Sequence, residues 1–448
     1  MSTTQDPAPI LLALPSFTPS LALEVIPRGV TLHRLFVQAD GRTHDILVGP
    51  ENPTDHAVQK YTNTLVGRYA NRLPVSPATL TRNGLTSTFA ALPNESPSVS
   101  LHGGPIGFDS LPWTPIPLPY FPSAQDEGDA RPLLFTNAEL ETIQSELQTS
   151  VLFYRISEDG EQGFPGKLRV EALVGLVDPR GPATGEEYPL GSVVIVYRAR
   201  LEEEGKVTPI NLTQHWGFNL DASLKDGPES LSVKDHKLTI KADHTIALTE
   251  TGLSTGELAP VAGTHHAHAE KKTSKIGESF PEKGYDEFYL FSRPAAPIPT
   301  RLPASAFQAS GTVGVTSAEG ANVLKEILKP REQTAEPLVS LESEKSGLKL
   351  VFDTNQSGVQ FYSNNLTSPE KNARKKIHGG SGVFGAGDGY GVGTAAFLEF
   401  HEPLAAWLHP ATLGASGDDT LLASGEVYNN YVKMDVWYKS PASAASQA

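Results

Sequence analysis

The feature that most restricts the fold of this chain is an alternation of apolar and polar residues with a period of two. Between Lys167 and Val174, apolar residues alternate with Lys, Arg and Glu, and residues 192–201 begin with a β-branched run before alternating in the same way. Residues 237–242, 348–353 and 359–362 show similar patterns. Because successive side chains of a strand point to opposite faces, these segments are predicted to be half-buried strands of an antiparallel sheet.

Turn signals separate the predicted strands, and helical signals are few. Residues 83–84, 159–160 and 179–182 carry Gly and Pro combinations that are typical of turns. Residues 139–147 and 321–329 place apolar side chains on one stripe of a short helix. The chain has 40 Gly and 36 Pro among 448 residues, which favours many short strands joined by tight turns. The sequence alone therefore predicts one long antiparallel β assembly.

Three segments interrupt the strand pattern and are interpreted as insertions. Residues 120–131 are rich in Pro and acidic residues, residues 179–187 are rich in Gly and Pro, and residues 293–337 are rich in Ala, Pro and Ser. Residues 440–448 are expected to form a frayed tail. The remaining chain, residues 1–439, is expected to be a single domain that carries these insertions.

Charge and cysteine content exclude several classes of function. The formal net charge of −15 argues against binding to nucleic acid or to an anionic membrane, because both need a basic face. The absence of cysteine excludes disulfides, thiolate nucleophiles and iron–sulfur clusters. The N-terminal apolar run, Ile10–Leu14, is too short for a signal peptide and is followed by Pro15. We therefore expect a soluble, cytoplasmic protein whose partner is a small molecule.

Two histidines lie in sequence surroundings that suit chemistry at a site. His215 lies beside Trp216 and Phe218, and a histidine with an apolar wall titrates near neutral pH and suits proton transfer. The same residues also fit a hydrogen-bonded core histidine. His102 precedes two glycines, which let backbone approach a ligand, and Trp113 follows as a platform for the C–H face of a sugar. An ordinary Gly-rich turn with a surface histidine is the alternative interpretation.

Glu399 is a single carboxylate within the apolar run 395–400. With a period of two it shares a face with Phe397 and opposes Leu398 and Phe400. A carboxylate buried in this way is costly unless it is paired, and burial raises its pKa toward a value useful for a general base. The alternative is a glutamate at a strand edge that points to solvent.

Two other motifs are not expected to form sites. Residues 380–385 match a dinucleotide-binding glycine pattern, but neither the strand before it nor the helix after it is predicted. The histidines of residues 265–268 are followed by Glu and Lys and have no distant fourth ligand, so they are interpreted as a solvated loop rather than a metal site. The sequence contains no phosphate-binding P-loop and no serine nucleophile elbow.

Set in chain order, these segments resemble the aldose 1-epimerase (galactose mutarotase) family. The resemblance covers nearly the whole chain, and its strength lies in the order of many short motifs rather than in any one of them. The motifs are Gly67–Leu73, Leu101–Gly104 with Gly107–Asp109 and Trp113, Gly163–Leu168, Asn211–Leu220, Thr255–Glu257, Gly284–Asp286, Gly358–Tyr362 and Leu398–Glu399.

The resemblance implies an all-β fold, a large antiparallel β-supersandwich with an open sugar cleft, and interconversion of the α and β anomers of an aldohexose. Carried over by position, Glu399 is implied to be the base that removes the C1-hydroxyl proton, and His215 the acid that protonates the ring oxygen. His102 is implied to hold or polarise the ring-oxygen side. The reaction needs no metal and no redox cofactor, and the protein is expected to be a monomer or a homodimer. Four further residues are implied to bind sugar hydroxyls: Asn71, Arg72, Asp286 and Gln360.

This chain also departs from the family pattern close to the implied site. Gln214, Trp216 and Gly217 replace an Asn, a small hydroxyl residue and an aromatic residue around His215, and His401 stands where the family has Gln. These changes leave the sugar preference open. The segment that follows Thr264 and the insertion 293–337 are also unusual for the family.

Three other functions remain as alternatives. A carbohydrate-binding protein of the same fold would not need both a catalytic acid and a base. A hexose-6-phosphate 1-epimerase would need a basic pocket, which the net charge of −15 does not favour. Glycoside hydrolysis would need two catalytic carboxylates, and Glu399 is the only obvious candidate.

Overall fold

The computed structural model describes residues 8–116, 118, 134–147, 149–180, 187–225, 231–293, 296–307, 322–331 and 336–440. Within these ranges the chain forms many short strands and two short α-helices, α1 (Asn137–Glu146) and α2 (Val323–Ile327). The predicted insertion at 120–131 lies outside the described residues, as do residues 181–186, parts of 293–337 and residues 441–448. No helix in the described ranges is long and apolar enough to span a membrane.

The strands are numbered in chain order. The first nine are β1 (Ile10–Ala13), β2 (Leu21–Ile26), β3 (Thr31–Ala39), β4 (Arg42–Asp45), β5 (Leu65–Val66), β6 (Arg72–Pro74), β7 (Ala78–Arg82), β8 (Leu85–Phe89) and β9 (Val99–Leu101). The next ten are β10 (Thr114–Ile116), β11 (Thr149–Ser157), β12 (Leu168–Val177), β13 (Glu187–Leu201), β14 (Val207–Pro209), β15 (Thr213–Gln214), β16 (Gly217–Phe218), β17 (Lys237–Ile240), β18 (Ala242–Leu248) and β19 (Ser254–Pro260). The last eight are β20 (Asp286–Phe291), β21 (Arg301–Pro303), β22 (Val339–Glu342), β23 (Leu348–Thr354), β24 (Gly358–Tyr362), β25 (Ala396–His401), β26 (Leu421–Ala423) and β27 (Glu426–Lys439).

Two large antiparallel sheets dominate the fold. One has nine strands in the order β10-β11-β12-β13-β27-β23-β22-β17, with β21 also paired to β27. The other has six strands in the order β16-β25-β24-β20-β18-β19. The main apolar core contains residues of both sheets, for example Ile195 and Met434 from the first and Leu398 and Phe400 from the second. Two sheets that share one core form a β-sandwich, so the predicted all-β fold is confirmed.

The five strands predicted from the alternation correspond to β12, β13, β17, β23 and β24, and the two predicted helices correspond to α1 and α2. The prediction that these strands are half-buried is wrong for the centre of the nine-stranded sheet. Arg169 and Glu171 of β12 are fully buried and form an ion pair with 2.8 Å between Nε and Oε1. The reason is that α1, α2 and neighbouring segments cover the outer face of the sheet with a second apolar cluster.

Arg198 of β13 joins this covering layer to the sheet. Its guanidinium is fully buried and donates to both carboxylate oxygens of Glu139 in α1, at 2.6 and 2.7 Å. It also donates to the carbonyl oxygen of Leu134 at 2.8 Å and to Oδ1 of Asn429 at 3.0 Å. Glu139 in turn accepts from the backbone N–H of Leu324 in α2 at 3.1 Å. A single buried ion pair therefore connects both helices to the sheet.

Candidate active site

The candidate site is a cleft of about 350 Å³ above the six-stranded sheet, on the face opposite the core. On β25, Leu398 and Phe400 pack in the core, so Phe397 and Glu399 point into the cleft, as the alternation predicted. The neighbouring strand, β24, adds Gln360 directly opposite Glu399 in the strand register. The sheet thus fixes the spacing of the side chains on the floor of the cleft, because their positions follow from strand pairing.

His215 and Glu399 are in direct contact in the floor of the cleft. His215 Nε2 lies 3.2 Å from Glu399 Oε1, and both residues are buried. His215 Nδ1 and Glu399 Oε2 have no hydrogen-bond partner within the described part of the chain. Two adjacent proton-exchanging groups at the floor of a cleft, each with a buried polar atom that lacks a partner among the described residues, are typical of a functional site.

Burial shifts the pKa values of this pair in opposite directions. Burial raises the pKa of Glu399 well above its usual range; the nearby charge of Asp286 raises it further and that of Arg72 opposes the shift. Burial lowers the pKa of His215 to about 4. Loss of solvation disfavours the charged form of each group. Between these two pKa values the pair holds one proton, which the 3.2 Å contact allows the two groups to share.

His102 lies beside this pair with its tautomer fixed by the backbone. Its Nδ1 accepts from the backbone N–H of Asn71 at 3.1 Å, and its own backbone N–H donates to the carbonyl oxygen of Asn71 at 3.0 Å. An imidazole whose Nδ1 accepts carries its proton on Nε2 when neutral. Burial, followed by the charges of His215 and Arg72, lowers the pKa of His102 well below its usual value. His102 is therefore a neutral donor through Nε2.

A network of charged and amide groups forms one wall of the cleft, called here the polar wall (Asn71, Arg72, Glu95, Asp286 and Gln360). Arg72 donates to both carboxylate oxygens of Glu95, at 2.8 and 2.9 Å, and its Nη1 lies 3.9 Å from Asp286 Oδ2. Gln360 Nε2 donates to Asp286 Oδ1 at 2.8 Å, and Gln360 Oε1 has no partner among the described residues. Such a set of fixed donors and acceptors suits the hydroxyl groups of a sugar.

All seven residues implied by the resemblance line this one cleft. Four further residues line the cleft and were not predicted from the sequence as site residues: Glu95, Tyr61, Tyr362 and Tyr390. Glu95 carries no local signal, because only the folded chain brings it to Arg72. The Tyr61 ring packs against His102 with 4.7 Å between ring centroids and an angle of 58° between the ring planes, and its φ of 64° is unusual for a tyrosine. No pattern in the sequence indicates that conformation.

The proposed roles of Trp113 and the glycines after His102 are wrong. Trp113 is buried against Phe108, to whose carbonyl oxygen its indole N–H donates at 3.3 Å, and it does not line the cleft. Gly103 has a φ of 88°, and an added Cβ there would lie 2.0 Å from the carbonyl oxygen of Gly67. The glycine is therefore needed for close contact between two backbone segments rather than for contact with a ligand.

Arg68 explains why the Gly67–Leu73 and Gly163–Leu168 motifs occur together. Its buried guanidinium donates to the carbonyl oxygens of Ser157 and Gly166, both at 2.8 Å. Asn71 and Arg72 follow a few residues later in the same segment, which Arg68 holds in place, and both line the cleft. A structural arginine thus positions two residues of the polar wall.

One group of side chains has the composition of a metal site. His102, His215 and Glu399 offer ligand atoms that all lie within 4.8 Å of one another, the one such group of three in the described ranges. To bind a metal, the Nε2 of His102 must lose its proton. The hydrogen bond from the backbone N–H of Asn71 to Nδ1 keeps that proton on Nε2. This donor set therefore suits proton transfer better than a resident metal ion.

The structure excludes the dinucleotide pattern at residues 380–385 and corrects the interpretation of the histidines at residues 265–268. Residues 380–385 follow a short 3₁₀ turn rather than a strand, and turns continue after them, so the dinucleotide pattern is excluded. The interpretation of residues 265–268 as a solvated loop is wrong. His268 is fully buried, and both His266 and His268 contact the hydroxyl of Tyr289, at 2.9 and 3.2 Å. These histidines pack against tyrosines and do not form a metal cluster within the described residues.

Comparison with known proteins identifies the same family as the motifs. The family model described as aldose 1-epimerase matches residues 18–434. Galactose mutarotase from Sus scrofa is 32% identical over 279 residues, which is 61% of this chain and 65% of the pig protein. Aldose 1-epimerase from Escherichia coli K12 is 30% identical over 260 residues, which is 56% of this chain and 59% of that protein. The match thus spans somewhat less than two thirds of these relatives.

Solved structures show a similar fold over almost the whole chain. An aldose epimerase homologue from C. elegans superposes with a TM-score of 0.64 at 18% identity, covering 97% of this chain and all of that chain. Galactose 1-epimerase from Lactobacillus acidophilus NCFM superposes with a TM-score of 0.58 at 17% identity, covering 96% of this chain and 98% of that chain. At these identities the likeness establishes the fold.

Proposed function

The chain belongs to the aldose 1-epimerase family, and on that premise we propose that it interconverts the α and β anomers of free aldohexoses such as glucose or galactose. The observation that supports the proposal is the buried contact of 3.2 Å between His215 and Glu399, two side chains that can exchange protons, at the floor of the cleft. Opening a cyclic hemiacetal requires one proton to leave the C1 hydroxyl and another to reach the ring oxygen.

The proposed reaction follows from the proton held by this pair. The raised pKa of Glu399 and the lowered pKa of His215 favour the proton on Glu399, and its transfer across the 3.2 Å contact gives the reactive form, a Glu399 carboxylate beside protonated His215. The carboxylate then accepts the proton of the C1 hydroxyl, and protonated His215 donates its proton to O5. The C1–O5 bond breaks, and the electrons of the C1 O–H bond become the C1=O bond of the open-chain aldehyde. Rotation about C1–C2 turns the other face of the carbonyl toward O5, and reversal of the two proton transfers closes the other anomer. The pair holds one proton before and after the cycle.

The other cleft residues are proposed to bind the sugar rather than transfer protons. His102 donates from Nε2 and is proposed to hold the ring-oxygen side, because its tautomer is fixed by Asn71. The polar wall residues Asn71, Arg72, Asp286 and Gln360 are proposed to bind the ring hydroxyls. Holding the sugar in one orientation removes the entropic cost of bringing two catalytic groups to it.

The test of this proposal is polarimetry of freshly dissolved α-D-glucose and α-D-galactose. The protein is expected to shorten the approach to the equilibrium rotation without changing the final value, since a catalyst does not move the equilibrium. A carbohydrate-binding protein without activity would bind the sugars in calorimetry and leave the time course unchanged. That outcome would overturn the proposed function.

The pH dependence of kcat/KM is expected to be bell-shaped. Below about pH 4, the pKa of His215, both groups are protonated and no base remains, so the rate falls as the pH falls. Above the raised pKa of Glu399 the pair has lost its last proton and no acid remains, so the rate falls as the pH rises. Initial rates measured across this range, each corrected for spontaneous mutarotation in the same buffer, check the profile. A rate that stays constant below pH 4 would contradict the assignment of the pair.

A further inference from the structure

The cleft has a second wall whose chemistry differs from that of the polar wall. Apolar side chains form this aromatic wall, defined as Val48, Tyr362, Leu366, Tyr390 and Phe397, and all of them line the cleft. Val48, Tyr390 and Phe397 form one apolar cluster, with Tyr362 packed against it. Leu366 is 76% exposed and lies at the outer rim. This surface takes no part in the proposed proton transfers or in the proposed binding of the ring hydroxyls.

The hydroxyl groups of the two tyrosines in the aromatic wall already have hydrogen-bond partners within the protein. The Tyr362 hydroxyl accepts from the backbone N–H of Leu366 at 2.7 Å, and the Tyr390 hydroxyl lies 2.7 Å from His378 Nδ1. The neighbouring Asn372 accepts from the backbone N–H of Tyr390 through Oδ1 at 2.7 Å and donates to the Tyr390 carbonyl oxygen at 2.8 Å. A ligand that meets this wall therefore meets mainly carbon.

Phe397 holds its place in this wall because residue 217 is glycine. Gly217 and Phe397 face each other in the strand register of β16 and β25. A Cβ added at Gly217 would lie 2.5 Å from the Phe397 ring, so a larger residue at 217 and this ring exclude each other. The resemblance places an aromatic residue at the position of Gly217. In this chain the aromatic ring comes from β25 instead, two residues before Glu399 and on the same face.

The proposed function determines which part of the sugar meets this wall. If His215 serves O5, then C5, which is bonded to O5, lies on the side of His215. The Phe397 ring centroid is 5.0 Å from that of His215 and 5.5 Å from that of Tyr362. The substituent on C5 is therefore the group that reaches the aromatic wall, while the ring hydroxyls meet the polar wall.

We propose that the aromatic wall selects 6-deoxyaldohexoses, sugars that carry a methyl group on C5, over aldohexoses with a hydroxymethyl group and over hexose 6-phosphates. This inference rests on the proposed function. A methyl group gains by leaving water for an apolar surface. A hydroxymethyl group loses a hydrogen bond to water there, and a phosphate would bring a buried charge.

The experiment compares matched sugars on the same preparation of the protein. We expect kcat/KM to be about tenfold higher for 6-deoxygalactose than for galactose, and for 6-deoxyglucose than for glucose, since an added hydroxyl in an apolar pocket is rejected only moderately. Galactose 6-phosphate is expected to be the slowest of the set. The ratio within each pair is independent of how much of the protein is active.

Variants of Phe397 separate the chemistry of the wall from its shape. Phe397→Leu keeps an apolar side chain and is expected to keep the preference, whereas Phe397→Gln is expected to bring the ratio close to one. Tyr362→Phe is a matched control, because it keeps the ring and removes only a hydroxyl that already accepts from the backbone N–H of Leu366, and it is expected to keep the wild-type ratio.

Two outcomes would overturn this inference alone. One is conversion of the aldohexoses at least as fast as their 6-deoxy counterparts. The other is fastest conversion of galactose 6-phosphate, which would assign the exposed Lys371 at the cleft rim to phosphate binding instead. Conversion of no sugar would overturn the proposed function, and this inference with it.

Discussion

Replacing Glu399 by Gln is expected to lower kcat/KM for anomer interconversion by about 10²- to 10⁴-fold, the usual contribution of one general base. The amide has the size of the carboxylate but cannot accept and return a proton. Polarimetry at the pH of maximal wild-type rate measures the loss. Burial raises the pKa of Glu399 in the folded protein above its value in the unfolded chain. At a pH between these two values only the unfolded chain has lost the proton, which lowers the free energy of unfolding. The Gln variant is therefore expected to unfold at the same or a higher denaturant concentration.

Glu402→Gln is the matched control for this substitution. Glu402 lies three residues further along the chain, is buried, and does not line the cleft. Burial and the nearby charge of Asp418 raise the pKa of Glu402, which favours its neutral form, so an amide replaces the carboxyl with little electrostatic change. We expect this variant to keep most of the wild-type activity. If Glu399→Gln also kept most of it, Glu399 would not be the base.

The position of Glu399 on the cleft face of β25 could be predicted because its signal is local. Alternation within β25 places Glu399 opposite Leu398 and Phe400, and a carboxylate in an apolar run is costly without a partner. The partner could not be read from the alternation. His215 is 184 positions earlier, and only the pairing of β16 with β25 brings the two together.

The aromatic wall shows a second limit of sequence reasoning. Gly217 and Phe397 each look like isolated departures from the family pattern, and only the strand register shows that one makes room for the other. Glu95 is missed for the same reason, since only the folded chain brings it to Arg72 at the cleft. Local patterns predict which face a residue occupies, whereas long-range packing decides what it touches there.

The alternation of β12 and β13 predicts a face open to water, but that face is buried in the structure. A strand with Arg and Glu on one face is usually open to water on that face. Here the covering helices bury Arg169, Glu171 and Arg198, and their charges are compensated within the protein. The covering segments are distant in sequence, so β12 and β13 carry no sign of them.

The largest expected effect on stability follows from that buried layer. Replacing Arg198 by Met is expected to lower the free energy of unfolding by about 3–5 kcal/mol, because it leaves the Glu139 carboxylate buried without its cation. Glu139 also accepts from the backbone N–H groups of Thr136 and Leu324, so both helices lose support when it is disturbed. Denaturant unfolding followed by fluorescence measures the change.

A partly exposed ion pair provides the control for that prediction. Arg180 donates to Glu146 at 3.2 Å at the end of α1, and both side chains are 32% exposed. Solvent screens this pair, so Arg180→Met is expected to cost less than about 1 kcal/mol. Comparable losses in the two variants would mean that burial of the charge is not what makes Arg198 important.

A double substitution isolates the contribution of the uncompensated charge. Adding Glu139→Gln to Arg198→Met removes that charge and leaves one amide oxygen, which can accept from one of the two backbone N–H groups, Thr136 or Leu324, that bond to the Glu139 carboxylate. The double variant is therefore expected to be more stable than Arg198→Met alone, although each substitution removes part of the same contact. If the double variant were no more stable than Arg198→Met alone, the uncompensated carboxylate would not be the main cost of removing Arg198. A higher free energy of unfolding in the double variant would show that a carboxylate without its cation is what destabilises the covered face of the sheet.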